Sequence, residues 1–118
     1  MTEAQEQEKL MNWCSYKSCI YKELALIYHI PNGGKRNKRE AVALKRQGVK
    51  SGVPDLHLPV ARSGYNSLYI EMKVGKNKCS DNQKKWIDML LKEGNQVKVC
   101  YGAEEAMEEI MKYLSNDY

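Results

Sequence analysis

Asp55, Glu71 and Lys73 are the residues of this chain whose types and spacing best suit chemistry. Glu71 and Lys73 stand two residues apart in a short apolar run, 68–74, that is typical of a β-strand. Because alternate side chains of a strand share one face, both are expected to point the same way, with Met72 opposite. Two carboxylates and an ammonium suit a hard divalent cation and an activated water, as used to hydrolyse phosphodiesters.

The same spacing has a simpler interpretation. A Glu-x-Lys pair on a strand is more often a solvated ion pair than an active site, because short motifs match by chance. The surrounding sequence therefore has to decide between the two.

Positive charge is concentrated near these residues. The net charge is +4, with seven Lys or Arg against one acid between residues 35 and 50, and five Lys against one acid between residues 72 and 85. The end of the chain from residue 103 is acidic, with five acids against one Lys. Most Lys-rich stretches are merely solvated surfaces, but basic charge beside the candidate site favours binding of a polyanion such as nucleic acid.

The 118 residues are enough for one domain, 1–118, with a modest core. No apolar run approaches the length of a membrane span, and the polar N-terminus does not resemble a signal peptide. The four cysteines form no C-x-x-C pair, which disfavours a zinc site and indicates free thiols in a reducing cytoplasm.

Periodicity and capping residues predict an α/β chain. Thr2 and Gln5 have the capping-box spacing at the start of a first helix, and Ser80 is placed to cap a later one that Gly94 ends. The predicted order is α-β-α-β-β-α-β-α: the first helix, a strand at 24–30, a helix at 39–47, strands at 55–59 and 67–74, a helix at 81–93, a strand at 96–101 and a helix at 103–114.

Four segments together resemble a known family. They are His-Ile-Pro-Asn-Gly-Gly-Lys-Arg at 29–36, Gly-Val-Lys-Ser-Gly-Val-Pro-Asp-Leu at 48–56, Ile-Glu-Met-Lys at 70–73 and Ser-Asp-Asn-Gln at 80–83. Their order resembles the VRR-NUC (virus-type replication-repair nuclease) domain of the PD-(D/E)xK superfamily, in its stand-alone phage or bacterial form. The resemblance implies a restriction-endonuclease-like core with a central mixed sheet flanked by helices. It also implies a metal-dependent DNA endonuclease of replication or repair, selective for branched or Holliday-type junctions and homodimeric.

On this resemblance, Asp55 and Glu71 would bind Mg²⁺ or Mn²⁺, with the carbonyl of Met72 as a further ligand. Lys73 would orient or help to deprotonate the attacking water and offset charge on the phosphate. The family often brings another carboxylate from the first helix. Helical spacing places Glu3 on the face of the apolar residues, so it is the better candidate, and Glu6 is the reserve.

Gln83 has two interpretations of equal weight. It lies at the third position of the helix that Ser80 caps, where a capping box explains it fully. The resemblance instead makes it an active-site residue that touches the water or a phosphate. His57, on the face of Asp55, is more typical of a packed strand histidine than of a metal ligand.

Basic residues near the site are candidates for contact with the DNA backbone, which positions a protein without specifying sequence. They are Lys35, Arg36, Lys38, Arg39, Lys76, Lys78, Lys84 and Lys85. Two alternatives remain open: a nuclease-like fold that binds nucleic acid without cutting it, and a ribonuclease with the same chemistry. The intact set of Asp55, Glu71 and Lys73 disfavours the first.

Overall fold

The computed structural model describes residues 1–32 and 37–118 and has a four-stranded mixed sheet flanked by helices. The elements are α1 (Glu3–Lys17), a 3₁₀ helix (Lys22–Leu26), β1 (Tyr28–His29), α2 (Lys38–Arg46), β2 (Leu56–Leu58), β3 (Leu68–Lys73), α3 (Asp81–Lys92), β4 (Gln96–Tyr101) and α4 (Ala103–Leu114). The strands lie in the order β1-β2-β3-β4, antiparallel up to β3 and parallel between β3 and β4. The predicted fold class is confirmed.

The predicted strand at 24–30 is wrong over most of its length. Residues Lys22–Leu26 form a 3₁₀ helix, and only Tyr28–His29 pair with β2. The buried residues Leu24 and Ile27 are three positions apart, with exposed residues between them. That spacing fits a helical turn and not the alternation of a strand.

The two faces of the sheet differ in chemistry. Leu56 and Leu58 of β2 pair with Ile70 and Leu68 of β3, and all four side chains are buried in the core. Helices α1 and α4 pack against β3 and contribute Leu10 and Ile110, among others, to that core. By alternation along the strands, Asp55, Glu71 and Lys73 belong to the opposite face.

Local signals set the helix ends as predicted. Capping boxes are present at Thr2 of α1 and Ser80 of α3. Helices α2 and α3 end at Gly48 and Gly94, which have φ of 106° and 87°. The backbone N–H of Gly94 donates to the carbonyl of Leu91, and that of Asn95 donates to the carbonyl of Leu90. These bonds satisfy carbonyls in the last turn of α3.

The helices within 1–32 and 37–118 are all too short or too polar to cross a membrane. The four cysteines, which all lie in those ranges, are free thiols.

Candidate active site

Asp55 lies directly before β2 and is fixed by the neighbouring strand. Its Oδ2 accepts a hydrogen bond of 2.7 Å from the backbone N–H of Met72. The pairing of β2 with β3 ends at Leu56 and Ile70, so this N–H lies beyond the ladder. The carboxylate of Asp55 therefore accepts the hydrogen bond that a backbone carbonyl would accept from Met72 in a longer strand pairing. This bond holds the Asp55 carboxylate beside Glu71.

Glu71 and Lys73 point to one face and are joined through Gln83. Lys73 Nζ lies 3.6 Å from Glu71 Oε2 and donates to Gln83 Oε1 at 3.0 Å. Gln83 Nε2 donates to Glu71 Oε2 at 3.2 Å. Glu71 and Lys73 are only 2% and 7% exposed, so the pair is not the solvated ion pair of the simpler interpretation.

Helix α3 holds Gln83 in position by its capping box. Gln83 Oε1 accepts from the N–H of Ser80 at 2.8 Å, and the N–H of Gln83 donates to Ser80 Oγ at 3.1 Å. The same Oε1 also accepts from Lys73. The capping interpretation of Gln83 is confirmed, and the same amide also contacts Lys73 and Glu71. Its contact with a water or a phosphate stays a prediction.

The carboxylates of Asp55 and Glu71 lie close enough for the charge of Asp55 to affect the pKa of Glu71. Burial, followed by the nearby charge of Asp55 and a hydrogen bond with it, raises the pKa of Glu71 to about 8. Lys73 acts in the opposite direction and Glu3 adds to the rise. The carboxyl group of Glu71 therefore holds its proton more strongly than an ordinary glutamate does, and a bound cation would displace that proton.

The backbone of β3 offers an additional oxygen on this side. The N–H of Met72 points to Asp55, whereas the carbonyl of Lys73 accepts from Gly102 after β4. In an extended strand the N–H and C=O of one residue point the same way, so the carbonyl of Met72 faces Asp55. The donors are all hard oxygens, which fit Mg²⁺ or Mn²⁺.

Glu3 is near this cluster but has its own partner. Its Oε2 accepts from Asn77 Nδ2 at 3.0 Å, and the carbonyl of Asn77 accepts from the hydroxyl of Tyr101 at 2.8 Å. Across residues 1–32 and 37–118, no three His, Cys, Asp or Glu side chains are gathered closely enough to hold a metal. The place of Glu3 among the ligands therefore stays a prediction. Nothing in the sequence points to Asn77, which is 74 residues away.

The reserve candidate Glu6 has a structural role. Its Oε1 accepts from the N–H of Ala103 at 2.9 Å, at the start of α4. Gly102 lies against it, since a Cβ there would come within 3.1 Å of the same oxygen. Glu6 therefore fixes α1 to α4.

The two histidines support the strands. His57 stacks on Tyr69 with ring centroids 4.1 Å apart, and its Nδ1 lies 2.8 Å from the hydroxyl of Tyr28. Burial lowers its pKa, which fits the packed histidine expected from the sequence. His29 Nδ1 lies 3.0 Å from the carbonyl of Asp55 and 3.1 Å from Gln7 Nε2, so it braces the backbone that carries Asp55.

The candidate DNA-contacting residues in the described ranges are exposed and lie on three elements. They are Lys38 and Arg39 on α2, Lys76 and Lys78 after β3, and Lys84 and Lys85 on α3. Within 1–32 and 37–118, none of the six forms an ion pair with an acidic side chain. Lys35 and Arg36 lie outside the described residues.

Comparison with known proteins identifies the family of the chain. Residues 1–104 match the family model of the VRR-NUC domain. A solved structure described as a VRR_NUC domain protein is similar with a TM-score of 0.82 and 34% identity, over 98% of this chain and 90% of that chain. No curated protein matches the chain. The chain belongs to the VRR-NUC domain family, which implies a nuclease-type function.

Proposed function

We propose that this protein is a Mg²⁺- or Mn²⁺-dependent endonuclease that hydrolyses phosphodiester bonds of DNA. The observation that carries the proposal is the buried pair of Glu71 and Lys73, joined by Gln83, with the half-buried Asp55 fixed beside them by the N–H of Met72. Membership of a nuclease family supports the same chemistry.

The oxygens that would hold the cation are the carboxylates of Asp55 and Glu71 and the carbonyl of Met72, with Glu3 as a further candidate. The raised pKa of Glu71 supports this fit, because a cation beside Asp55 and Glu71 would stabilise the charged form of the Glu71 carboxylate. When bound, the cation would supply Lewis-acid charge to the phosphate and lower the pKa of a water.

Lys73 is the residue of this chain placed to act on the reacting atoms. Its ammonium is 7% exposed and is held by Gln83 at 3.0 Å, so its position is set before substrate binds. From there it orients the attacking water and offsets negative charge that develops on the phosphate. A preorganised group of this kind typically contributes about 3 kcal/mol to the transition state.

The proposed substrate is branched or junction DNA. The exposed basic residues around the site would neutralise backbone phosphates, and such contacts favour DNA shape over sequence. A homodimer would supply two sites, one for each strand of a junction. Free thiols at all four cysteines are consistent with action in the cytoplasm.

One set of incubations tests the activity. Labelled four-way junction, flap, duplex and RNA are each mixed with the protein in Mg²⁺, in Mn²⁺ and in EDTA. Cleavage of DNA that requires the cation supports the proposal, and preference for the junction supports the proposed selectivity. Binding without cleavage would instead indicate a binding module, and cleavage of RNA alone a ribonuclease. The mass of the free protein in solution tests the homodimer.

A further inference from the structure

A cavity with basic lining residues lies between α2 and α3, beside the candidate active site. It has a volume of about 540 Å³ and is lined in part by Lys45, Lys50, Ser51 and Asn82. Its described lining contains two lysines and no acid. Within 1–32 and 37–118, neither lysine forms an ion pair. The described lining of the cavity is therefore positively charged and supplies no acidic side chain to balance the two lysines.

The loop that forms one wall is fixed tightly to α3. Asn82 Nδ2 donates to the carbonyl of Ser51 at 2.9 Å and to Ser51 Oγ at 3.0 Å. Gly52, with φ of 88°, follows at a point where a Cβ would lie 2.6 Å from Asn82 Nδ2. Because Ser51 Oγ accepts from Asn82, its own hydroxyl hydrogen remains to be donated to a ligand. The wall thus presents a donor in a defined position.

The place of the cavity relative to the catalytic cluster follows from the first turn of α3. Asn82 lines the cavity, and the next residue, Gln83, contacts Glu71 and Lys73. Neighbouring helical residues point in different directions, and a helix with its side chains is about 10 Å across. A DNA strand advances at least about 3.4 Å per nucleotide, so the two positions are at most about three nucleotides apart.

The surroundings of the cavity are basic as well. Helix α2 carries Lys38, Arg39, Lys45 and Arg46 against Glu40, and none of its described residues is buried. A helix that contributes little to the core but carries this charge is suited to the surface of a polyanion. The ligand chemistry that matches two ammoniums and a hydroxyl donor is a phosphate oxygen.

We infer that this cavity binds a backbone phosphate of the DNA strand that is cut, within about three nucleotides of the scissile phosphate. Lys45 and Lys50 neutralise the phosphate, and Ser51 donates to it. This inference rests on the proposed function, because the strand is the substrate of the neighbouring catalytic cluster. It assigns the cavity the task of setting the strand in register with Asp55 and Glu71.

The test removes the negative charge of single phosphates in the DNA and, separately, the positive charges of Lys45 and Lys50 in the protein. The cut site in the DNA substrate is mapped first. A set of substrates is then prepared, each with one methylphosphonate, which lacks the phosphate charge. The modified position runs from four nucleotides before the cut to four nucleotides after it. Cleavage of each DNA is measured as kcat/KM for the parent protein, for Lys45→Ala/Lys50→Ala, and for Lys22→Ala/Lys112→Ala. The last variant loses the same charge at two exposed lysines on other elements.

The inference predicts that one methylphosphonate near the cut slows the parent about tenfold. The Lys45→Ala/Lys50→Ala protein should cut unmodified DNA about tenfold more slowly, and that methylphosphonate should have no further effect, because groups in contact are not additive. The control variant should retain the profile of the parent.

Other outcomes separate this inference from the proposed function. If the parent cuts DNA and the cavity variant keeps the full methylphosphonate profile, the inference is overturned while the proposed function stands. If the parent cuts RNA alone or cuts nothing, both are overturned.

Discussion

At the scale of single residues, the raised pKa of Glu71 beside Asp55 is the central feature of the site. A buried carboxylate next to a second carboxylate is unfavourable unless it is protonated or a cation lies between the two. Burial and the nearby charge of Asp55 together raise the pKa of Glu71. The site is thus unstable in its fully charged state without metal, which is the expected property of a cation site.

Asp55→Asn should remove the charge but keep an oxygen for the N–H of Met72. We expect cleavage and cation binding to fall at least about a hundredfold, since a charged ligand is lost. The pKa of Glu71 should fall towards its ordinary value, because the neighbouring charge is gone. NMR titration of the Glu71 carboxyl carbon checks the second effect without reference to activity. An unchanged Glu71 pKa would contradict the described cause of the shift.

Cation binding at about pH 7 should release about one proton, because Glu71 is protonated below its pKa of about 8. Calorimetric titration with Mn²⁺ in two buffers of different ionisation enthalpy measures this number. Well above pH 8 the release should fall towards zero. Equal heats in both buffers at about pH 7 would contradict a protonated Glu71 in the metal-free protein.

The same pKa predicts how the metal-free protein responds to pH. The folded state keeps a proton on Glu71 that the unfolded state releases near the ordinary glutamate pKa of 4.5. The metal-free protein should therefore lose stability as the pH rises from about 4.5 to about 8, and excess Mn²⁺ should reduce that loss. Urea unfolding across this range, with and without Mn²⁺, provides the comparison.

At the scale of elements, the first turn of α3 both stabilises the fold and positions residues of the catalytic cluster. Its first turn supplies Gln83 to the catalytic cluster and Asn82 to the loop that carries Ser51 and leads to Asp55. A single capped helix end therefore sets the positions of Lys73 and of the loop before β2.

Ser80→Ala and Gln83→Ala separate the cap from the catalytic contact. Ser80→Ala removes only the bond to the N–H of Gln83, so it should cost about 1 kcal/mol of stability and leave cleavage within about twofold. Gln83→Ala also removes the contacts with Lys73 and Glu71, and cleavage should fall about 10- to 100-fold. Urea unfolding and single-turnover cleavage test the pair. Similar rates for the two variants would contradict a role for Gln83 beyond capping.

Gly52→Ala and Gly48→Ala test the loop before Asp55. Both glycines have positive φ, but a Cβ at Gly52 would lie 2.6 Å from Asn82, whereas at Gly48 no described atom lies within 4 Å. Gly48→Ala should cost about 1 kcal/mol from backbone strain alone. Gly52→Ala should cost about 2 kcal/mol or more and slow cleavage, because the loop must shift. Equal unfolding midpoints for both would contradict the close packing of the loop on α3.

The sequence predicts the elements whose signals are local. Ser80 and Gln83 are three residues apart, so the cap of α3 is visible in the sequence, and Gly94 marks its end. The 3₁₀ helix at Lys22–Leu26 is misassigned because a short apolar run does not distinguish a strand from a helical turn.

Contacts that join distant segments are not visible in the sequence. The bond of Asn77 to Glu3 spans 74 residues, and that of Asn82 to Ser51 spans 31. The roles of Glu6 at the start of α4 and of the cavity lysines depend on such contacts. These roles depend on tertiary packing, whereas periodicity and capping rules describe only residues that are close in the sequence.

At the scale of the whole molecule, charge is divided between surfaces. Exposed lysines and arginines lie on α2, on the loop after β3 and on α3, while the first turn of α4 carries Glu104 and Glu105. An anionic substrate would be attracted to the first surface and repelled from the second.

Lys84→Ala/Lys85→Ala should weaken DNA binding to a similar degree for all sequences, because these residues are placed for backbone contact. The slope of log affinity against log salt should fall by about two. Lys92→Ala is the control on the same helix, where the lysine pairs with Asp88, and it should leave the slope nearly unchanged. Fluorescence anisotropy in EDTA over a range of salt gives the slopes, and equal slopes for all three proteins would contradict this role of α3.

The most direct test of the account is a crystal grown with Mn²⁺ and measured by anomalous scattering. The account predicts one strong anomalous peak between the carboxylates of Asp55 and Glu71, within ligand distance of both. Absence of that peak, with either carboxylate turned away from the other, would contradict the proposed metal site.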